Sequence, residues 1–478
     1  MNESELHMIK KPIGLISVVC IVHLLLGLDI NIVSVSLPSI AEHFNVNAGI
    51  VTRIVWIYFL ILTCFLIGFG KLGDVYGFKK IFLSGIFIFT FGSLLCGLSF
   101  DFNSLIVFRI IQSIGGAILF ALTPAIISTH IPVEIRGKIF GLNYSFVALG
   151  GIIGRGLSGF LVQSFGWNSI FFINITIGII AILLGLIYIH RIIPSNNIAK
   201  FNLKGSILIF IALLNLLFAV NTGNENGWLS PITLVSFILF ILFLSLFIKR
   251  ENKLIQLSKD KNGNIYPATL INFLLLKNKE LFLPIITFML IYIITNGMIY
   301  ITPFFLTWIN NFPKEKIGLY MAIPSVLQMI SGYISGSLSD KKSIKMISLT
   351  GILLTLITYF FYLSLSQNSV NLIIIITLII YGIAIGIFIP ANTNLIMSIA
   401  PPDEKGSVSS LMTTVIRLGS AFGVTIFGTI FTVFVPQKNP IQSGVNVDVI
   451  LNGFKYTFLF GLLISLIAVV ITIFRKNK

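Results

Sequence analysis

The sequence predicts an all-α polytopic membrane protein with fourteen membrane-spanning helices. Of its 478 residues, 56% are apolar and only 10% are charged, whereas a soluble domain has about 25% charged residues. The apolar residues form continuous runs of about 20 residues, the length that one helix needs to cross a bilayer. Continuous runs, as opposed to strands of alternating character, exclude a membrane β-barrel.

The predicted spans are separated by short polar loops. They cover approximately residues 13–38, 49–70, 80–99, 104–129, 138–162, 167–190, 204–222, 229–249, 281–306, 316–337, 344–364, 372–399, 407–434 and 454–474. The first apolar run is longer than the apolar region of a secretory signal peptide, so we expect it to remain in the protein as the first span.

The basic residues predict how the chain is oriented. With both termini in the cytoplasm, 24 of the 32 Lys and Arg lie on the cytoplasmic side, and only Lys314, Lys316, Lys438 and Lys455 lie in outer loops. The remaining four are arginines within spans. This bias predicts a multi-pass protein of the cell membrane with cytoplasmic termini. Because the net charge of +16 is dispersed over short loops, the composition excludes nucleic acid as a partner.

Two sequence patterns occur twice in the chain. GKLGDVYGFKK (Gly70–Lys80) and GSLSDKKSIK (Gly336–Lys345) share Gly, Leu and Asp at the same offsets, each where a span reaches the cytoplasm. At almost the same separation, LTPAIISTHIPVEIRG (Leu122–Gly137) resembles FIPANTNLIMSIAPPDEKG (Phe388–Gly406). The patterns therefore indicate a duplicated unit of six spans.

The duplication predicts the domain organisation. We expect an N-terminal six-helix bundle at residues 1–199, an inserted two-helix hairpin at 200–250, a cytoplasmic linker at 251–280 and a C-terminal six-helix bundle at 281–478. Parallel halves of this kind are typical of a transporter that rocks around a site between them.

The same patterns resemble the major facilitator superfamily, and within it the fourteen-span drug:proton antiporters. GLDINIVSVSLPSI at residues 27–40, WIYFL at 56–60, RIIQSIGGA at 109–117 and VIRLGSAFGVTIFG at 415–428 are similar to markers of that branch. The resemblance implies the major facilitator fold, with two six-helix bundles around a cavity open alternately to each side. It also implies that Arg109 belongs to the proton-coupling region. The positions that it assigns to cytoplasmic gate loops are Gly70, Asp74, Gly77, Lys79, Lys80, Gly336 and Asp340.

Five charged residues lie within predicted spans: Asp29, Arg53, Arg109, Arg155 and Arg417. At a rise of about 1.5 Å per residue, all but Arg417 belong to the outer half of the membrane, and Arg417 lies near the midplane. An arginine at the bilayer centre costs at least about 2.5 kcal/mol, so each buried one requires a cavity or a partner. For Arg53, near the surface, we expect the side chain to extend to the interface.

Asp29 is the only carboxylate deep in a predicted span, which makes it the candidate for proton coupling together with Arg109. We hypothesise that Asp29 pairs with Arg109 or Arg155 in one access state and is protonated in another. The coupling energy is then a proton gradient, and no cofactor is required.

Other polar residues of the predicted inner spans (1, 4, 9 and 12) and of the spans that flank them (2, 5, 10 and 13) are candidates for lining a substrate cavity. They are Gln112, Asn296, Asn392, Asn394, Arg417 and Arg155. For each amide the alternative is a hydrogen bond to a neighbouring helix without contact to substrate. Because arginines outnumber carboxylates in this set, we expect neutral or anionic lipophilic compounds to be favoured over dications.

The segment GGIIGRGLSG, at residues 150–159, is rich in glycine. Gly150, Gly151, Gly154 and Gly159 predict close packing of the fifth helix. Gly150, Gly154 and Gly159 resemble a signature of the antiporters in which Arg155 occupies a proline position. Two interpretations of Arg155 remain open: it pairs with Asp29, or it extends to the outer surface.

Other function classes fit the sequence less well. It has no metal-ligand cluster, no His/Asp pair and no phosphate-binding loop, so we do not expect an enzyme. The main alternative is a carrier for a lipid or a metabolite without proton coupling. In either case the expected partners are a small-molecule substrate and membrane lipids, with one chain as the working unit.

Overall fold

A computed structural model describes residues 13–190, 200–257, 268–367, 371–435 and 445–475. Within these ranges it contains fourteen helices long and apolar enough to cross a membrane, which confirms the predicted number. Their bounds are α1 Ile13–His43, α2 Arg53–Tyr76, α3 Phe78–Gly97, α4 Phe102–His130, α5 Val133–Phe165, α6 Ser169–Tyr188, α7 Leu203–Asn226, α8 Pro231–Leu257, α9 Lys279–Trp308, α10 Lys314–Ser339, α11 Ile344–Ser364, α12 Asn371–Ile399, α13 Lys405–Phe434 and α14 Val447–Ile473. Lys438 lies outside the described residues.

Local sequence signals set several of these helix ends. The Asp101 side chain accepts a hydrogen bond from the Ser104 N–H at 2.7 Å, and this capping box begins α4. Gly77 adopts a φ of 90° in the one-residue turn between α2 and α3, a conformation that residues with a side chain rarely adopt. Glycine at this position therefore lets the chain reverse directly after Tyr76.

The helices form two bundles, α1–α6 and α9–α14. Because each helix returns the chain across the bundle, the described ends of the chain, Ile13 and Arg475, lie on one face, which we call the terminal face, and the opposite face is the far face. The main contacts between the bundles are those of α5 with α10 and of α2 with α13. The fold is thus two six-helix halves joined along two helix pairs.

The inserted hairpin, α7 and α8, contacts the helices of both bundles through α7. This helix contacts α2 of the first bundle and α13 of the second, and α8 packs on α7. The α8 helix ends at Leu257, not at the expected boundary of residue 250. The reason is that Glu251 and Leu254, in its last turns, are buried against neighbouring segments.

Glycines of α5 allow it to pack closely on α1, as the sequence predicts. A Cβ atom added to Gly154 would lie 2.7 Å from the carbonyl oxygen of Leu28, and one added to Gly150 would collide with that of Leu24. Gly151 faces the Asn31 side chain. The prediction is wrong for Gly159, because it has open space around it where α5 approaches the far face.

Candidate functional site

A buried ion pair joins α1 to α4. Arg109 Nη1 lies 3.1 Å from Asp29 Oδ2, and the side chains of the two residues are 1% and 0% exposed. Gln112 and Asn174 donate further hydrogen bonds to Asp29 Oδ1, at 2.9 and 2.8 Å. Asp29 therefore accepts from three side chains, an arrangement that fits a carboxylate and offsets the cost of burying it.

Aromatic residues enclose the guanidinium of this pair. The Cζ atom of Arg109 lies 4.4 Å from the ring centroid of Tyr58 on α2 and 5.6 Å from that of Phe171 on α6. Cation–π attraction of this kind is strongest where water is excluded. The ion pair thus links α1, α4 and α6 within the first half and contacts α2 through Tyr58.

Gln112 belongs to this network and not to a substrate cavity, which corrects the expectation from the sequence. It is fully buried, and besides Asp29 it contacts Ser93 Oγ at 2.7 Å and Arg109 Nη1 at 2.6 Å. The helical spacing places Gln112 on the same face of α4 as Arg109, and this spacing correctly predicts that the two side chains lie close together.

Arg155 does not pair with Asp29. Its Nε donates to Asn31 Oδ1 at 3.1 Å, and its side chain is exposed near the far face. It lies on the same side of α5 as Tyr144, three turns farther along, and Tyr144 contacts Gln328 of α10. Arg155 therefore contacts α1 through Asn31 and not through the carboxylate of Asp29.

A cavity of about 360 Å³ lies between α2, α7 and α13, on the far-face side of the contacts between the halves. Asn296 of α9 forms its inner end, and exposed residues of α7 and α13, including Asn224 and Val424, lie at its outer end. The cavity is also lined by Trp56 and Phe59 of α2, Asn221 of α7 and Arg417 of α13.

Arg417 is the only charged side chain among the described residues that line this cavity. Its Cζ atom lies 4.3 Å from the ring centroid of Phe120 and 5.6 Å from that of Phe59. Its buried Nε has no hydrogen-bond acceptor among the described residues. The guanidinium is thus held by aromatic rings, and its Nε–H is an unpaired donor within the described residues.

Two of the predicted cavity amides have structural partners. Asn392 is fully buried, donates to the carbonyl oxygen of Pro284 at 3.0 Å and accepts from Arg475 at 3.4 Å. Asn394 donates to Ser339 Oγ at 3.1 Å, near the terminal face. These bonds between helices correct the expectation that both line the cavity, whereas Asn296 does line it.

At the terminal face, Asp74 connects the first half to the second. Its carboxylate accepts hydrogen bonds from the N–H groups of Gly406 and Ser407, at 2.7 and 2.9 Å, and from Ser407 Oγ at 2.7 Å. Gly406 and Ser407 open α13, where the helix dipole favours a negative charge. Gly70, one turn before Asp74, packs directly against Ser410 of the same helix.

Asp340 makes the equivalent connection from the second half to the first. It accepts from the N–H groups of Gly137 and Lys138 in the first turns of α5, at 2.6 and 2.8 Å. Burial raises the pKa of the Asp340 carboxyl above its ordinary value, and the two N–H donors oppose that rise. Gly336 packs against Gly137 and Gly141. Together, Asp74 and Asp340 close the terminal face, and we call their two sets of hydrogen bonds the terminal latches.

The other predicted gate residues do not touch the opposite half. Gly77 forms the turn described above, and Lys79 donates to the carbonyl oxygen of Leu186 at 2.8 Å, at the end of α6. Lys80 is exposed. Only Gly70, Asp74, Gly336 and Asp340 of the predicted gate residues therefore join the halves.

The sequence of the whole chain identifies its family. A profile of the Major Facilitator Superfamily matches residues 19–424. The chain belongs to this superfamily of membrane transporters. Its six-helix halves, the duplicated motifs and the latches between them are therefore parts of a major facilitator transporter.

Characterised and named relatives of this transporter differ in what they carry. It is 29% identical to the riboflavin transporter RibZ of Clostridioides difficile over 462 residues, which are 96% of this chain and 97% of RibZ. It is 26% identical to multidrug resistance protein 3 of Bacillus subtilis, over 88% of this chain and 80% of the relative. It is also 26% identical to the methylenomycin A resistance protein of Bacillus subtilis, over 87% of each chain.

Solved structures confirm the fold. The human organic anion transporter MFSD10 (TETRAN) superposes with a TM-score of 0.64 and 12% identity over 96% of this chain and 97% of that one. The proton:xylose symporter XylE gives a TM-score of 0.63 with 14% identity, covering 100% of this chain and 97% of XylE. At these identities the likeness concerns the fold alone.

The structure also adds site residues that sequence reasoning missed. Asn174 and Tyr58 contact the ion pair, and Asn221 and Asn224 line the cavity. Asn174 is a single amide within an apolar run, and the periodicity of that run does not reveal which neighbour it meets. Tyr58 lies within the WIYFL segment, which resembles a marker of the family. That resemblance could have identified Tyr58 as a candidate site residue.

Proposed function

We propose that this transporter exports small neutral or anionic amphipathic compounds across the cell membrane by alternating access, in exchange for protons. The observation that carries the proposal is the cavity between α2, α7 and α13, whose only charged side chain among the described lining residues is Arg417. A positive charge in a site of low dielectric constant favours anions and opposes cations. The aromatic and amide side chains around it suit planar molecules with polar edges.

The terminal latches support alternating access. Each is a carboxylate that takes its hydrogen bonds from the backbone of the opposite half, so separation of the halves breaks a few bonds without disturbing either bundle's core. Water can replace those partners once the face opens. With cytoplasmic termini, as the loop charges predict, the latches close the inner side and the cavity faces outward.

The Asp29–Arg109 pair is the proposed site of proton coupling. Protonation of Asp29 removes the charge that holds Arg109, which then needs another partner or water. Because Tyr58 touches Arg109 and belongs to α2, a shift of the arginine is transmitted to a helix that lines the cavity. The proton gradient supplies the energy, no cofactor takes part, and one chain is the working unit.

A second candidate is a metabolite carrier of the riboflavin type, without a requirement for protons. It is favoured by the 29% identity to RibZ, which extends over 96% of this chain. Riboflavin is neutral and has a planar isoalloxazine ring with two carbonyl groups at one edge, so it also belongs to the substrate class that the cavity favours. The two candidates differ in whether a pH gradient drives transport.

Transport by purified protein in liposomes tests the proposal. Fluorescein, riboflavin and ethidium serve as anionic, neutral and cationic substrates, each with and without an imposed pH gradient, and protein-free liposomes are the control. We expect accumulation of fluorescein or riboflavin that requires the gradient. Transport of riboflavin that ignores the gradient would favour the metabolite carrier. If ethidium were the best substrate, the proposed substrate class would be wrong.

A further inference from the structure

The inserted hairpin contributes directly to the cavity. Asn221 and Asn224 of α7 line it, opposite Arg417 of α13 and Trp56 of α2. The two duplicated halves contain only six helices each, so this wall comes from outside the duplicated unit. The cavity consequently depends on the inserted hairpin for one of its walls.

Hydrogen bonds fix α7 to the second half at the mouth of this cavity. Asn224 Nδ2 donates to Thr425 Oγ1 at 3.2 Å, and its Oδ1 accepts from Thr429 at 3.4 Å. Asn221 is one turn deeper, and its amide nitrogen donates to Glu225 at 3.1 Å. Glu225 lies at the exposed end of α7, beyond the lining residues, where solvent screens its charge.

The deep end of the cavity has free hydrogen-bonding capacity. Arg417 retains its buried Nε, for which the described residues offer no acceptor. The Asn296 amide nitrogen donates to Ser420 Oγ at 3.0 Å and to the Tyr292 carbonyl oxygen at 3.1 Å, which fixes this amide at the cavity wall. Trp56 and Phe59 supply aromatic faces between this end and the mouth.

We propose that this cavity is a binding site for planar aromatic compounds that carry a carboxylate or a similar acceptor edge, and that α7 completes it. The acceptor edge meets Arg417, the ring system lies against Trp56 and Phe59, and Asn221 and Asn224 bind the end nearest the mouth. The proposal rests on the proposed function and assigns the inserted hairpin a part in substrate recognition.

Fluorescence anisotropy of two dyes on the purified protein tests this assignment. Fluorescein and rhodamine 123 share a xanthene ring system, but the first is an anion and the second a cation. We expect fluorescein to bind more tightly than rhodamine 123. Arg417→Gln and the double variant Asn221→Leu/Asn224→Leu should each weaken fluorescein binding about tenfold or more, equivalent to the loss of about 1.4 kcal/mol.

The matched control is Asn215→Leu on the same helix. The Asn215 side chain donates to the Ile211 carbonyl oxygen of its own helix at 2.9 Å and does not line the cavity. It should bind fluorescein as the unmodified protein does. Should only Arg417→Gln weaken binding, the part assigned to α7 is overturned while the proposed function stands. Tighter binding of rhodamine 123 than of fluorescein would instead overturn the substrate class.

Photolabelling of the unmodified protein tests the site without any variant. Azidofluorescein is bound, activated by light and located by mass spectrometry of the resulting peptides. Labels on α2, α7 and α13 around the cavity are the expected result, and excess unlabelled fluorescein should suppress them. Saturable labelling of other helices, with α7 unlabelled, would overturn the proposal.

Discussion

The ring of Tyr58 lies 4.4 Å from the guanidinium carbon of Arg109, on the side of α2 that faces the buried ion pair. The next residue, Phe59, faces the cavity, 5.6 Å from the guanidinium carbon of Arg417. Adjacent residues of one helix therefore contact the two sites that the proposed mechanism must connect. We therefore expect a displacement of Arg109 to act on the cavity through a single turn of α2.

This arrangement predicts that the Tyr58 ring, and not its hydroxyl, is needed for coupling. The buried hydroxyl has no hydrogen-bond partner among the described residues, so Tyr58→Phe should retain transport driven by a pH gradient. Tyr58→Leu removes a cation–π contact worth about 2 kcal/mol in a desolvated site and should uncouple transport. Phe82→Leu, which removes a fully buried ring elsewhere in the same bundle, is the control and should remain coupled. Equal losses in Tyr58→Phe and Tyr58→Leu would speak against the ring's role.

The terminal latches predict a conformational shift in Asp74→Asn. The amide cannot accept all the bonds that the carboxylate takes from Gly406 and Ser407, so the closed state loses charge-assisted hydrogen bonds. Spin labels on Tyr76→Cys and Met346→Cys, exposed positions of the two halves at the terminal face, report their separation. The native cysteines that are described are all buried and can stay.

Pulsed electron double resonance should show the ratio of long to short distances rising about tenfold in Asp74→Asn, as expected for a loss of about 1.4 kcal/mol. Asp340→Asn should act in the same direction. Asp448→Asn, an exposed change at the far face, is the control. Unchanged distance distributions in both latch variants would mean that these bonds do not stabilise the closed face.

The packing of α5 on α1 predicts opposite effects of two glycine substitutions in the same helix. Gly154→Ala places a methyl group against the Leu28 carbonyl and should destabilise the protein by about 1 to 3 kcal/mol. Gly159→Ala extends into open space and should be neutral or stabilising by about 1 kcal/mol or less. Thermal unfolding in detergent measures both. Equal destabilisation by the two changes would contradict the close contact at Gly154.

We expect Glu251 of the inserted hairpin to stabilise the segment before α9 at the terminal face. Its fully buried carboxylate accepts from Asn202 Nδ2 at 2.6 Å and from the Leu270 N–H at 2.7 Å, which ties the segment before α9 to α7 and α8. In Glu251→Ala the Leu270 N–H loses its acceptor, and its hydrogen exchange should become about tenfold faster or more. Glu225→Ala, at the exposed end of α7, is the control. Unchanged protection of Leu270 would show that another group holds this segment.

The sequence predicted the helices well because each span is a local property of about 20 consecutive residues. It also located both duplicated motifs, yet it did not predict that they meet crosswise. Asp74 of the first motif in one half binds Gly406 of the second motif in the other, and Asp340 binds Gly137. A Cβ atom at either glycine would lie 2.6 Å from the partner carboxylate, so the glycines are needed for these contacts. Pairing across 332 and 203 residues depends on the tertiary fold.

The depth of a charged residue in the membrane was predictable from the sequence, but the direction of its side chain was less so. Asp29, Arg109 and Arg155 were expected at similar heights, and only Arg109 pairs with Asp29. Gly154 faces α1. Arg155 is the next residue of α5, so it lies about 100° around the helix from that contact. The direction of the buried amides was equally hard to predict. A polar side chain in an apolar helix can hydrogen-bond to a neighbouring helix, as Asn392 does, or line a cavity, as Asn296 does.

We expect Asp29 to carry the coupled proton, and transport by Asp29→Asn in liposomes is the decisive test of this role. Asparagine keeps the size of the side chain and removes its charge and its ability to be protonated. This variant should still exchange substrate between equal concentrations on the two sides but should no longer accumulate it when a pH gradient is imposed. Full accumulation driven by the pH gradient in Asp29→Asn would contradict it.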